Sequence, residues 1–385
     1  MPSVVPDPVV PAYGGPCVSS LVPALLGSGA PVPEWLPEPA RSAGQVVLLV
    51  LDGLGWEQLQ ARLDLAPTLA AMDGGPITTV APTTTATALT SISTGLSPAD
   101  HGVLGYRVRV GESEVLNVLR WRTAGGGDAR DRYPPDKFQT QLGFAGACPP
   151  VVTRAEFSST GFTRAHLAGT RLAGWRVPSG MVVQVAHLLE AGEPFVYAYY
   201  DGIDKIAHER GFGPYYDAEV TAADRLVGDL AAVLPPGAAL LVTSDHGQVQ
   251  VDAEPIPVAP ELMADVALLS GEGRFRWLHT EPGTTARVAA GAQERYGHLA
   301  WVRTREEVVD EGWLGGRLSP EFERRLGDVA IVPFEPVAFL DPQDTGKLQL
   351  VCRHGSLTPA EVLVPLLACG PTGKAGHGWE QPAAR

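Results

Sequence analysis

Three uninterrupted apolar runs set the frame of this chain: Val46 to Leu51, Phe195 to Tyr200 and Ala238 to Thr243. Runs without polar alternation are expected of strands buried on both faces, as in a parallel sheet covered by helices. The first run ends in Asp52-Gly53-Leu54-Gly55, and Trp56 to Leu63 reads as helix. Tyr215 to Leu234 carries a helical period and stops at Pro235-Pro236-Gly237, between the second and third runs. Strand, helix, strand in this order predicts an α/β sheet with helices on both faces. A different pattern fills residues 255–345: Phe275 to His279, Leu299 to Arg303 and Val329 to Val332 read as strands, Thr284 to Tyr296 and Arg305 to Gly312 as helices. The expected division is therefore an N-terminal arm over 1–44, an α/β core over 45–254 and 346–385, and a small α+β cap insertion over 255–345. Within the arm Ser19 to Leu26 reads as a short helix, and Tyr106 to Trp121 looks like a polar hairpin.

Charge narrows the partners. The 385 residues carry 29 Lys+Arg and 43 Asp+Glu, a formal net charge of -14. Nucleic-acid polymers and anionic membranes are poor partners for such a surface. No apolar run approaches the length that spans a bilayer, and Met1 to Gly15 lacks the basic and apolar regions of a signal peptide. Cys17, Cys148, Cys352 and Cys369 are scattered without CxxC spacing, as expected of free thiols in a cytoplasmic protein. The 44 Gly and 35 Pro predict many turns.

The chemistry collects where strands end, the usual ligand-binding edge of an open α/β sheet. Asp52 follows the first run, Asp201 and Asp204-xxx-His208 the second, and Asp245-His246-Gly247 the third. His354-Gly355 lies near the C-terminus. Singly, a strand-end Asp is often a helix cap and an Asp/His i,i+4 pair an exposed pair. Together, the carboxylates of Asp52, Asp204 and Asp245 and the three imidazoles form a donor set that suits Zn²⁺ or Mn²⁺. The stretch Thr83-Thr84-Thr85-Ala86-Thr87 reads either as helix-capping hydroxyls or as a nucleophile at a helix N-terminus, where backbone donors favour an anion. Thr358-Pro359-Ala360-Glu361 has the form of a capping box with Pro at the first helical position, which puts His354 in a loop before a helix.

These motifs, with Thr94-Gly95 and His101-Gly102, resemble those of the alkaline phosphatase superfamily, in its type I phosphodiesterase/nucleotide pyrophosphatase branch, over about Gln45 to Leu367. The resemblance implies an alkaline phosphatase-like, mostly parallel central sheet flanked by helices. It implies two divalent ions, one held by Asp52, Asp245, His246 and the Thr85 oxygen, the other by Asp204, His208 and His354. Thr85 would be the nucleophile, through a phosphothreonine, on a small phosphodiester or pyrophosphate. Thr84 and Thr87 remain its neighbouring alternatives. One position departs from the branch: the Asn expected to donate to a phosphoryl oxygen is Tyr106 here, a substrate contact or a packed aromatic. A phosphomonoesterase or phosphonate hydrolase with the same metals is the alternative enzyme, and a non-catalytic metal-binding regulatory protein the alternative from another class. His101 is expected to brace the loop after the Thr-rich helix. His166, His187, His279, His298 and His377 are expected to be exposed or packed, Arg107, Arg109, Arg120 and Arg122 to form a solvated strand face, and Trp277, Trp301 and Trp313 to fill a small core in the insertion.

Overall fold

The run Gln45–Leu51 is the middle strand of a seven-stranded sheet. Phe195–Tyr200 and Ala238–Thr243 flank it, both parallel. The computed structural model describes residues 5–27, 31–344 and 350–371. Pro150–Arg154 and Arg171–Trp175 extend the sheet in parallel beyond Phe195–Tyr200. On the opposite flank Leu363–Cys369 runs antiparallel between Ala238–Thr243 and the edge strand Asp73–Thr78. This is the mostly parallel α/β sheet that the apolar runs predict.

The runs lack alternation because both faces are covered. Val47, Leu49 and Leu51 enter a cluster with Met181, Val185 and Leu189 of helix Pro178–Glu190 and with Val220, Val227 and Leu230 of helix Pro214–Ala232. Val46, Leu48 and Val50 enter a second cluster with Ala86, Leu89 and Ile92 of helix Thr85–Thr94 and with Val18 and Leu21 of the N-terminal segment. Each fully buried Val or Leu contributes about 1.5–3 kcal/mol, so this two-sided covering fixes the sheet. The helix after the first strand is shorter than its pattern suggests, Trp56–Gln60, because the amides of Arg62 and Leu65 turn onto the carbonyls three residues back.

A separate four-stranded antiparallel sheet has the order Val266–Glu272, Phe275–Thr280, Val329–Pro333, Ala300–Thr304. Here alternation decides the packing. Leu278, Val302, Val329 and Ile331 face helix Thr285–Tyr296 in a small core of their own. Phe275, Trp277, Trp301, Ala330 and Val332 point the other way, into the larger cluster. The expectation that Trp277, Trp301 and Trp313 fill a small core in the insertion is therefore wrong: they weld this sheet to the rest of the chain. The N-terminal segment helps, since Tyr13 donates to the Trp313 carbonyl at 2.8 Å and the Trp301 indole N–H donates to the Pro6 carbonyl at 2.7 Å.

The polar hairpin is Arg107–Arg109 paired with Val115–Asn117, with Arg122–Thr123 as a third short strand. Arg107 corrects the solvated-face expectation. It is buried and ion-paired with Asp341, whereas Arg120 and Arg122 are exposed. All four cysteines are unpaired. Among the described residues no helix is long and apolar enough to cross a membrane. His377 lies outside the described residues.

Candidate active site

The strand ends converge as the parallel register requires. Asp52 follows the first strand, and its carbonyl accepts the Asp204 amide at 3.1 Å, which seats helix Gly202–Arg210 beside it. Asp245 and His246 follow Ala238–Thr243 on the other side. Gly53 (φ +76°) makes the turn possible, for a Cβ there would lie 2.9 Å from the Asp204 Cβ. Gly247 is required by close approach, since a Cβ would collide with the Ala360 carbonyl oxygen.

The six metal-ligand candidates fall into two groups, Asp52, Asp245, His246 and Asp204, His208, His354. In each group one ligand atom per residue lies within 4.8 Å of the others. His208 Nε2 is 3.2 Å from Asp204 Oδ1, the expected i,i+4 pair on a helix. His246 Nε2 is 3.5 Å from Asp52 Oδ1 and 3.6 Å from Asp245 Oδ2. The two groups abut through the stacked rings of His246 and His354, 3.6 Å between centroids.

Hydrogen bonding fixes which nitrogen faces inward. His208 Nδ1 bonds the Cys352 carbonyl (2.7 Å), His354 Nδ1 the Thr83 carbonyl (2.8 Å) and His246 Nδ1 the Gly247 carbonyl (3.1 Å). A carbonyl only accepts, so each Nδ1 donates and each Nε2 is the nitrogen turned toward the site, where the neutral ring offers a ligand lone pair. The carboxylates are treated likewise. Asp52 Oδ2 accepts from the Tyr199 hydroxyl, and Asp245 Oδ1 from the Gly53 and His246 amides at 3.1 Å. Asp52 Oδ1 and Asp245 Oδ2 are buried with no hydrogen-bond partner. Burial, then the neighbouring Asp245 and Asp204 charges, push the Asp52 carboxyl well above its usual range. Burial, then His246 and His208, hold His354 well below the usual imidazole value. Two orphaned carboxylate oxygens with imidazole nitrogens turned toward them are what a bound cation would satisfy.

Thr85 is the first residue of helix Thr85–Thr94, with Thr84 as its N-cap. Its hydroxyl lies 3.1 Å from His246 Nε2. Thr87 Oγ1 is buried without a partner and Thr84 makes no side-chain cap bond, so of the three hydroxyls only that of Thr85 touches the ligand groups. His101 braces the following loop, bonding Ser91 at 2.8 Å and accepting from the Val103 amide at 3.1 Å. Tyr106 is half-buried, and it is not among the walls of the cavity that opens beside Thr85. Asp201 stays apart from the ligand groups, paired with Arg154 at 2.6 Å and with Lys205. His166 and His279 are buried and hydrogen-bonded; His187 and His298 are exposed.

Some contributors escape the sequence reading. Tyr199 orients Asp52, and Gln248 donates to Asp204 Oδ1 at 3.0 Å. The one available signal is the set of hydroxyls, Tyr197, Tyr199 and Tyr200, in a strand that is otherwise apolar. The capping box at Thr358 also needs correction. Pro359 does open a helix, Pro359–Val362, but Thr358 makes no cap bond to the backbone. Its hydroxyl donates instead to Glu361, whose two oxygens accept from Arg274 at 2.8 Å each. A buried guanidinium outcompetes the Thr358 backbone amide for that carboxylate.

The type I phosphodiesterase / nucleotide pyrophosphatase family matches residues 46–357. The chain belongs to this family. It is accordingly a hydrolase of phosphoric ester or anhydride bonds. Among solved structures it is similar to murine ectonucleotide pyrophosphatase/phosphodiesterase 5, an inactive form in complex with AMP. The two share 16% identity and a TM-score of 0.61, over 85% of this chain and 88% of that one. It is also similar to phosphonoacetate hydrolase from Sinorhizobium meliloti in complex with phosphonoformate, at 19% identity and a TM-score of 0.62, over 88% and 92% of the two chains. Both likenesses are of fold. No curated protein sequence matches the chain.

Proposed function

We propose that this phosphodiesterase-family chain is a metal-dependent enzyme that cleaves phosphodiester or pyrophosphate bonds of small, nucleotide-like substrates, with Thr85 as nucleophile. One observation carries the reading: three imidazoles and two orphaned carboxylate oxygens gather in two abutting groups, and the helix-N-terminal Thr85 hydroxyl lies 3.1 Å from His246 Nε2 of the first. Asp52, Asp245, His246 and Thr85 Oγ1 would hold one divalent ion, and Asp204, His208 and His354 the other, zinc or manganese by the donor set. When bound, such ions would neutralise phosphoryl charge and lower the pKa of the Thr85 hydroxyl.

Thr85 Oγ1 attacks phosphorus in line as the ester oxygen leaves with its electron pair, giving a phosphothreonine and an alcohol or phosphate. Water then attacks phosphorus from the vacated side and releases Thr85 and the phosphate product. The N-terminus of helix Thr85–Thr94 directs its free amides toward the phosphoryl oxygens. AMP and phosphonoformate in the similar structures are small anions, which supports a small anionic substrate. The net charge of -14 disfavours nucleic-acid polymers. Tyr106 at the position of the family's Asn keeps phosphomonoester or phosphonate hydrolysis as the second reading. Parallel assays on bis-p-nitrophenyl phosphate and p-nitrophenyl phosphate separate the two. Thr85→Ala is expected to abolish turnover with fold and metal content near wild type, since the other ligands remain; hydrolysis retained in that variant refutes the nucleophile.

A further inference from the structure

A hollow of about 470 Å³ lies where the hairpin after Arg107–Arg109, the segment 132–138 and the short helix Pro320–Glu323 of the insertion meet. It shares no wall residue with the cavity beside Thr85. In a chain of net charge -14 its walls are positive: Arg109, Arg132, Lys137, Arg324 and Arg325 line it, against Glu112 and Glu321. Two of these cations are already engaged. Arg132 pairs with Glu114, and Arg325 with Glu321 at 2.9 Å. The other three have no counterion. Arg109 donates its Nε to the Gly111 carbonyl at 2.7 Å, and the exposed Lys137 and Arg324 side chains have no partner among the described residues. The floor is packed and fixed. Phe138 is buried, and the Arg325 guanidinium, 7% exposed, lies 4.1 Å over its ring and donates to the Gly102 and Phe138 carbonyls at 2.7 and 3.0 Å. The positive potential also reaches inward: after burial, the charge of Arg325 lowers the pKa of His101, and that of Arg109 lowers that of His279.

We propose that this hollow is a second anion site, separate from the strand-end groups, that takes a small polyanion through Arg109, Lys137 and Arg324. Folding gathers these three like charges from three distant stretches, which is unfavourable until an anion joins them. Three uncommitted cations against the one uncommitted wall carboxylate, Glu112, call for an anion of charge -2 or more. Phosphate and carboxylate groups share the needed chemistry. The Arg109 guanidinium keeps its terminal nitrogens for a forked contact with an oxyanion. Lys137 and Arg324, on flexible stems, adapt to the anion's outer groups.

Calorimetric titration of the full-length, zinc-loaded protein with methylenediphosphonate and, separately, with tricarballylate reads the site; neither probe has an ester or anhydride bond to hydrolyse. Each titration is repeated after chelation and desalting, which leaves the strand-end groups no cation to hold an anion. One binding event is expected to persist. Lys137→Ser with Arg324→Ser should weaken it about tenfold or more, and Lys137→Glu with Arg324→Glu should abolish it. Arg225→Ser with Arg295→Ser changes the net charge equally at exposed positions elsewhere, and should leave the event within about twofold. Unfolding midpoints near wild type confirm that the variants fold, as expected for exposed side chains without partners. Binding of either probe in this pattern supports the site, and the ratio of the two affinities tells a phosphate source from a carboxylate one. No event after chelation overturns the proposal. So does an event indifferent to Lys137→Ser with Arg324→Ser, or one weakened as much by the Arg225 and Arg295 changes.

Discussion

Replacing Glu361 by Gln tests how the second sheet holds the His354 loop. Arg274 and Glu361 are both fully buried and meet as a bidentate pair, Nε to Oε1 and Nη2 to Oε2, each 2.8 Å. Glu361 also accepts from the Ser356 amide at 3.0 Å and the Thr358 hydroxyl at 2.6 Å. Four donors therefore converge on one carboxylate. A Gln amide offers one oxygen and turns an NH2 group toward two of those donors, while the Arg274 charge loses its counterion. Breaking one partner of such a pair costs about 3–5 kcal/mol. Three carbonyls, those of Pro333, Glu335 and Val337, still solvate the guanidinium, which places Glu361→Gln near the lower end, about 3 kcal/mol. Urea unfolding of the metal-free protein, followed by the fluorescence of buried Trp277 and Trp313, measures the loss. Arg274→Met with Glu361→Met removes both charges and should recover most of it. A Glu361→Gln protein within about 1 kcal/mol of wild type, or a double variant that costs the sum of the singles, refutes the reasoning. The loop should suffer as well. Ser356 hangs on Glu361 and accepts from Thr83, whose own carbonyl orients His354, so zinc affinity is expected to fall about 10–100-fold.

Three further outcomes are expected. Prolonged chelation with EDTA should abolish diester hydrolysis and added zinc restore it; activity indifferent to chelation argues against the metal reading. Tyr199→Phe removes the hydroxyl that donates to Asp52 and should lower zinc affinity about 10–100-fold with little loss of stability, read by competition with a chromogenic chelator. Burial lowers the imidazole pKa of His101 to about 3, and of His166 and His279 to about 4; the Arg325 charge adds to the effect at His101, and that of Arg109 at His279. The unfolded chain then binds protons from pH 6.5 downward that the folded chain refuses. Stability from these groups is complete above pH 6.5 and is lost toward pH 4, by up to about 1.4 kcal/mol per pH unit for each. Urea midpoints between pH 7 and 4 read the slope, and a flat profile counts against neutral buried imidazoles.

Much of the site is local in sequence because a parallel sheet delivers its strand ends to one edge. Asp52, Asp204 with His208, and Asp245 with His246 each sit within a few residues of an apolar run, so strand and ligand are read together. The same holds for the covering of the sheet: wholly apolar runs require helices on both faces, and these are present. Glu361 shows the limit. Its spacing from Thr358 is that of a capping box, and only the arrival of Arg274, 87 residues away, redirects it.

What the sequence by itself determined is therefore the central strands, their order of burial and the chemistry at their ends, all set by periodicity and by turns a few residues long. What only the tertiary structure decided is the set of contacts that join distant segments. Tyr199 donates to Asp52 across 147 residues, Thr85 meets His246 across 161, and Trp277 and Trp301 turn away from their own insertion toward the main core. The cavity beside Thr85 is made the same way, by Leu89, Leu119, His166 and Tyr197 from four separate stretches. Local spacing cannot encode such contacts, because the partner that satisfies a buried hydroxyl or carboxylate is chosen by packing after the chain has folded back on itself.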